Sequence, residues 1–259
     1  MLKNMSGLHN NDYLCTVRKE SRELSYNVVY QDIGLKEYKE ARDYQLMIFN
    51  KLVTGKISDH GVSGNDNNYS PGTLVFVEHP HVYTLGKSGS ENNLLLDQIQ
   101  LRARDASFYK TDRGGDITYH GPGQIVGYPI FDLEKLKISL KMYINLLEEA
   151  VINTLSGYGI QGSRLNGATG VWLDPGIPGR ARKICAIGVR ASRHVTMHGF
   201  AFNVNTDLTY FANINPCGIT DKGVTSMKKE LGYNLDFEAV KLNVRNNLQK
   251  VFGLTWTNQ

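Results

Sequence analysis

ITYHGPGQIVGYPIFDL, residues 117 to 133, sets two extended runs rich in aromatic and β-branched residues on either side of a Gly-Pro-Gly turn. That pattern predicts a β-hairpin with an exposed, backbone-rich tip. On its N-terminal side, TLVFVEHPHVYTLG (73 to 86) reads as a buried strand broken at Pro80, because proline cannot donate to a strand ladder. On its C-terminal side, residues 137 to 157 repeat apolar side chains at i, i+3 and i+4 through Tyr143, Leu147, Val151 and Leu155, which predicts a helix ended by Gly157. KICAIGV (183 to 189) and VTMHGFAFNVN (195 to 205) read as two strands that pair antiparallel through Arg190 to His194.

Further out, Leu24 to Tyr30 predicts a first strand and Leu35 to Val53 a helix ending before Gly55. Residues 58 to 70 read as a polar, Gly/Asn-rich loop, and Phe237 to Val251 as a last helix. The class is therefore α/β (α+β), a mixed, largely antiparallel sheet with covering helices. A polar, unpatterned extension, residues 1–25, precedes a single domain, residues 26–259.

The 259 residues are 41% hydrophobic and 21% charged, with a net charge of +4. Such a balance excludes a disordered chain and a strongly basic nucleic-acid binder. The N-terminus lacks an apolar signal core and no run is long enough to span a bilayer, so neither export nor a membrane is expected. Cys15, Cys185 and Cys217 are odd in number and lack CxxC spacing, which argues against disulfides or a zinc knuckle and for a reducing cytoplasm.

Two glycine motifs carry little. Gly157, Gly159 and Gly162 match a dinucleotide fingerprint but follow a helix, and LGKSGS has His81 where a phosphate loop needs glycine. His194 and His198 would lie about 13 Å apart on a strand, too far to share a zinc ion. No metal is expected.

Chemistry concentrates elsewhere. RGGDITYHGPGQ (113 to 124) packs glycines with Arg113, Thr118, Tyr119, His120 and Gln124, as a pocket wall would, although a structural hairpin explains the glycines equally well. In NPCGIT (215 to 220) Cys217 sits between proline and glycine, where a thiol is reachable, whereas Cys15 and Cys185 read as small buried residues. A free thiol has a pKa of about 8.5 and needs a nearby cation or base to act as a nucleophile. Lys183, opening its strand beside Ala186 and Gly188, is the candidate, although spacing alone does not pair it with Cys217.

Three blocks together resemble the lipoyl(octanoyl) transferases: EHPHVYTLGK followed by NLL, RGGDITYHGPGQIVGYPIFDL, and RKICAIGVRASRHVTMHGFAFNVNTDL leading to NPCGI. The likeness spans roughly residues 73 to 232, and its middle block is the family's signature. It implies the fold of the biotin and lipoate protein ligase catalytic domains. It also implies an acyltransferase that moves octanoyl from octanoyl-acyl carrier protein to a lysine of lipoyl domains, the first step of endogenous protein lipoylation, without ATP, metal or other cofactor.

The acceptors so implied are the lipoyl domains of 2-oxoacid dehydrogenases and the glycine cleavage H protein. Carried over by position, Cys217 matches the acyl-thioester nucleophile and Lys183 the lysine that lowers its pKa. Substrate-lining positions fall on Arg113, Gly114, Gly115, Asp116, Ile117, Thr118, Tyr119, His120, Ala186, Ile187, Gly188, Gly199, Phe200 and Ala201. Ile187, Phe200 and Tyr119 are expected to wall an acyl channel, and Arg180, Arg182, Arg190 and Arg193 to form a basic face for acidic carriers. Cys185 departs from the family, which commonly has alanine there. The alternatives are an ATP-dependent lipoate or biotin ligase on the same fold, a carrier-binding module without catalysis, and a cysteine hydrolase using His120 or His198.

Overall fold

The computed structural model describes residues 25–59, 70–215 and 222–257. Among them the main sheet runs in the order β12-β1-β2-β6-β10-β9-β8-β7. Its strands are β1 (Tyr26–Leu35), β2 (Gly72–Glu78), β6 (Gln124–Phe131), β7 (Ser163–Leu165), β8 (Ala168–Leu173), β9 (Arg182–Ser192), β10 (Val195–Asn203), β11 (Gly223–Val224) and β12 (Leu254–Thr257). Strand β1 is parallel to β2 and β12, the pairs from β2 through β7 are antiparallel, and β11 runs parallel to β9. A small sheet sets β3 (Val82–Leu85) between β4 (Ser107–Lys110) and β5 (Ile117–His120).

One face of the main sheet carries α1 (Tyr38–Asp59), whose Ala41, Phe49 and Leu52 pack on Val75, Val126, Ile130 and Met197. The other carries α3 (Leu140–Ser156) and α5 (Phe237–Phe252). Val240, Val244, Leu248 and Phe252 recur at one-turn intervals on α5, and together with Tyr143, Leu147, Val151 and Leu155 of α3 they close the largest core against Phe76, Phe131 and Phe202. Ser139 caps α3 by accepting from the Met142 N–H. Two short helices, α2 (Gln98–Ala103) and α4 (Met227–Leu231), complete the set.

The sequence misleads at three places. Residues 117 to 133 are not a hairpin: β5 pairs with β3 in the small sheet, whereas β6 pairs with β2 and β10 in the main one. The Gly-Pro-Gly turn is local, but the choice of partner is not, and the Pro80 break likewise carries the chain from β2 to β3 across the same gap. Helix α1 passes through Gly55 to Asp59 because Lys56 reaches buried Asp132 at 2.8 Å and Glu134 at 2.7 Å. Strand β1 extends to Leu35, held parallel to β2 as far as Glu78.

By contrast, β9 and β10 pair as read, through a two-residue turn in which Arg193 and His194 both take positive φ. Pro129 sits inside the fully buried β6, which proline ordinarily disrupts. Continuing the β6–β10 register places it across from His198, whose N–H turns away to Gln45 Oε1 at 3.1 Å while His198 adopts φ 63°. The Pro129 carbonyl is satisfied by the Tyr143 and Thr196 hydroxyls.

Candidate active site

A cleft of about 950 Å³ opens where the small sheet faces β9 and β10. Arg113, Gly114, Gly115, Asp116, Ile117, Thr118 and His120 line one wall; Lys183, Ala186, Ile187, Gly188, Gly199, Phe200 and Ala201 line the other. Every described candidate except Tyr119 is therefore gathered in one place. Tyr119 is fully buried in the core of the small sheet with Tyr83, and its hydroxyl hydrogen-bonds His81 Nδ1 at 2.7 Å, so it is no channel wall. Cys217 lies outside the described residues, but Asn215 and Lys222, which flank that segment, both line the cleft.

The glycines of the first wall permit close approach. The Gly114 N–H donates to the Val189 carbonyl at 2.9 Å, and a Cβ added to Gly188 would stand 2.9 Å from the Gly114 oxygen. Any side chain at Gly188 would therefore push the 113–115 loop off β9. Asp112 fastens the same loop through Arg190 and through His198 Nε2 at 2.8 Å, contacts that hold the Asp112 carboxyl well below the usual range.

A chain of hydrogen bonds runs through this wall. Arg113 donates to the Thr84 carbonyl at 2.6 Å and to Thr84 Oγ1 at 3.0 Å. His120 Nδ1 contacts Gln124 Oε1 at 2.9 Å, an acceptor only, so this nitrogen carries the proton and Nε2 is left to accept from the Thr84 hydroxyl at 3.3 Å. Gln124 passes the chain to Asn203, and Asn203 to the Thr225 carbonyl next to β11. Burial pushes the His120 pKa down to about 3 and that of neighbouring His79 to about 4, so both rings are neutral.

Lys183 owes its position to an irregularity. Val171 pairs with Cys185 but Trp172 with Lys183, so Ile184 is one extra residue, a β-bulge. Ile184 and Cys185 consequently both face the main core, while Lys183 turns to the cleft. Its ammonium donates to the Thr169 carbonyl at 3.1 Å and lies 4.7 Å from the centre of the Trp172 ring. Desolvation lowers the Lys183 pKa from its usual value; Cys185 and Glu148 oppose that shift and Arg113 adds to it. The Cys185 thiol is fully buried, and burial pushes its pKa far up, which makes it inert as a nucleophile.

Thr169 and Trp172, which hold the lysine, were missed from the sequence. Asn166–Gly167 is a hairpin signal, and it would have laid β7 and β8 beside β9. The arginines of the expected basic face divide: Arg180 and Arg193 are exposed, whereas Arg182 and Arg190 are held in ion pairs. Arg182 is bound to Glu230 and Asp174, Arg190 to Asp112, and Arg180 stands 4.0 Å from Asp174. Among the described residues no helix is long and apolar enough to cross a membrane, and no three His, Cys, Asp or Glu side chains gather as metal ligands.

Residues 57–249 match the family of the lipoyl protein ligase A/B catalytic domain. The octanoyltransferase of Parabacteroides distasonis is 55% identical over 224 residues, covering 86% of this chain and 98% of that protein. That of Christiangramia forsetii is 54% identical over 232 residues, covering 88% and 97%. Among solved structures, a bi-partite lipoate protein ligase of Thermoplasma acidophilum superposes with a TM-score of 0.62 at 12% identity, covering 91% of this chain and 86% of that one. A lipoate-protein ligase A bound with ATP gives 0.61 at 13%, covering 91% and 89%. At such identity these two likenesses establish a shared fold.

Proposed function

Because the chain belongs to the lipoyl protein ligase A/B catalytic-domain family and is an acyltransferase, we propose that it moves an octanoyl group from octanoyl-acyl carrier protein to a lysine of lipoyl domains through a thioester on Cys217. The observation that carries this reading is a desolvated amine, Lys183, in a cleft lined by both residues that flank the Cys217 segment. Strand β11, just after that segment, pairs Val224 with Lys183.

In the first step the Cys217 thiolate attacks the carrier thioester, a new C–S bond forms, and the carrier's C–S bond breaks. The departing thiolate takes its proton from the Lys183 ammonium. In the second, the acceptor amine attacks the acyl-enzyme, the amide forms, Cys217 leaves as thiolate, and the amine's proton passes to Lys183. An amine whose pKa burial has lowered suits both directions of this exchange. Phe200 and Ile187, cross-strand partners on β10 and β9, together with Leu140 and Ile144 of α3, offer the acyl chain apolar surface worth about 0.8 kcal/mol per buried CH₂.

No step needs ATP or a metal. The hydrolase reading fits less well at His120, because both of its ring nitrogens are engaged. Intact-protein mass spectrometry after mixing with octanoyl-acyl carrier protein, without ATP, tests the proposal. An octanoyl mass increase on the wild type and none on Cys217→Ala is expected; no adduct without ATP overturns it in favour of an adenylate-forming ligase.

A further inference from the structure

Helix α3 presents one carboxylate on its apolar face. Glu148 lies in line with Ile144, Val151 and Leu155 and is only 5% exposed. Its Oε2 accepts from Arg164 Nε at 2.9 Å, and its Oε1 from the Gly170 N–H at 3.0 Å. The peptide bond that supplies this N–H also contains the Thr169 carbonyl, to which Lys183 donates at 3.1 Å. In a trans peptide the N–H and C=O point in opposite directions, and no described peptide bond is cis. Glu148 and Lys183 therefore grip one peptide plane from its two sides.

The plane is fixed independently of both. Gly170 has φ +121°, and a Cβ there would stand 2.5 Å from the Cys185 carbonyl oxygen and 3.5 Å from Lys183 Cε. Only glycine brings β8 this close to the bulge that carries the lysine. A carboxylate on the N–H draws the peptide's electrons toward its carbonyl oxygen and strengthens the hydrogen bond made on the far side.

We propose that Glu148 is a positioning residue for the transferase reaction, acting through the Thr169–Gly170 peptide to aim and hold the Lys183 amine in the cleft. The inference rests on the reading of Lys183 as the proton-handling group. The titratable and charged groups that bear on that amine are Cys185 on its own strand, Arg113 from the loop before β5, and Glu148 from α3. Removing the charge of Glu148 leaves Arg113 opposed by less negative charge, so the amine should lose its proton at lower pH.

The test compares wild type, Glu148→Gln, Glu148→Asp and Arg164→Gln by two readouts. One is the NMR titration of the Lys183 amine, assigned by its loss in Lys183→Met; the other is kcat and KM with octanoyl-acyl carrier protein. Glu148→Gln is expected to titrate at lower pH and to lose about tenfold in kcat, the size of one charge-assisted hydrogen bond, with KM within about twofold. Glu148→Asp should recover part of both, and Arg164→Gln, which leaves the Gly170 contact in place, should resemble wild type. A folded Glu148→Gln or Glu148→Asp protein with the wild-type titration and kcat overturns the proposal, as does an effect of Arg164→Gln equal to that of Glu148→Gln. Should wild type transfer no octanoyl at all, the function proposed above fails, while the amine titration still decides whether Glu148 governs Lys183.

Discussion

Two of the cations that line the cleft, Arg113 and Lys183, are held in opposite ways. Arg113 is 8% exposed, and its guanidinium donates to the Thr84 carbonyl and hydroxyl and to the Gly114 carbonyl. Among the described residues Lys183 donates to the Thr169 carbonyl and otherwise faces an indole ring. Guanidinium stays charged in proteins, so its burial is made tolerable by a fork of acceptors. An ammonium given few acceptors responds to burial by releasing its proton more easily. One cation is therefore part of the wall, and the other is the part that titrates.

The sharpest break of that contrast is Lys183→Met, which should lower octanoyl transfer by about 10²- to 10⁴-fold, the usual contribution of a positioned acid–base group, in steady-state assays. Next comes Arg113→Lys. It keeps the charge but loses the fork, and should cost about 3 kcal/mol in urea unfolding because Thr84 is left with unmet hydrogen bonds.

A third effect has the opposite sign. The folded-state pKa of Lys183 lies below the ordinary lysine value of 10.5, so the unfolded chain binds more protons between the two values and stability rises with pH across that window. The cost of burying the ammonium is fully present below the folded-state value. Lys183→Met should therefore melt above wild type at neutral pH, and this advantage should shrink as pH approaches 10.5. The smallest effect belongs to Cys185→Ala, which should cost about 1 kcal/mol and leave both octanoyl adduct and rate in place, as expected of a buried inert thiol.

How much of this was legible depended on whether the deciding interaction was local. The β9–β10 pair and helices α3 and α5 follow from period-2 and period-3.6 patterns within single stretches, and the structure agrees with both. Residues 117 to 133 misled because their turn looks like a hairpin although β5 and β6 have partners elsewhere. The substrate-lining blocks came from motif likeness, and the structure brings all but Tyr119 into one cleft. Thr169, Trp172 and Glu148 escaped notice because a carbonyl, a ring and a carboxylate become relevant only once β8 and α3 flank Lys183. Glu148 did leave a trace, as a charge on an otherwise apolar helical stripe. The pairing of Lys183 with Cys217 concerns a segment outside the described residues and stays with the proposal.

The extra residue at Ile184 also sets how strand β9 tolerates change in length. In an unbroken strand Lys183 and Cys185, two positions apart, would have the same parity and point the same way. Deleting Ile184 would instead make Lys183 and Cys185 direct neighbours, which a regular strand points to opposite faces, so the amine would keep the cleft and the thiol the core. One residue can therefore be lost at this point without reversing the lysine, and a one-residue alignment gap here would be compatible with retained activity.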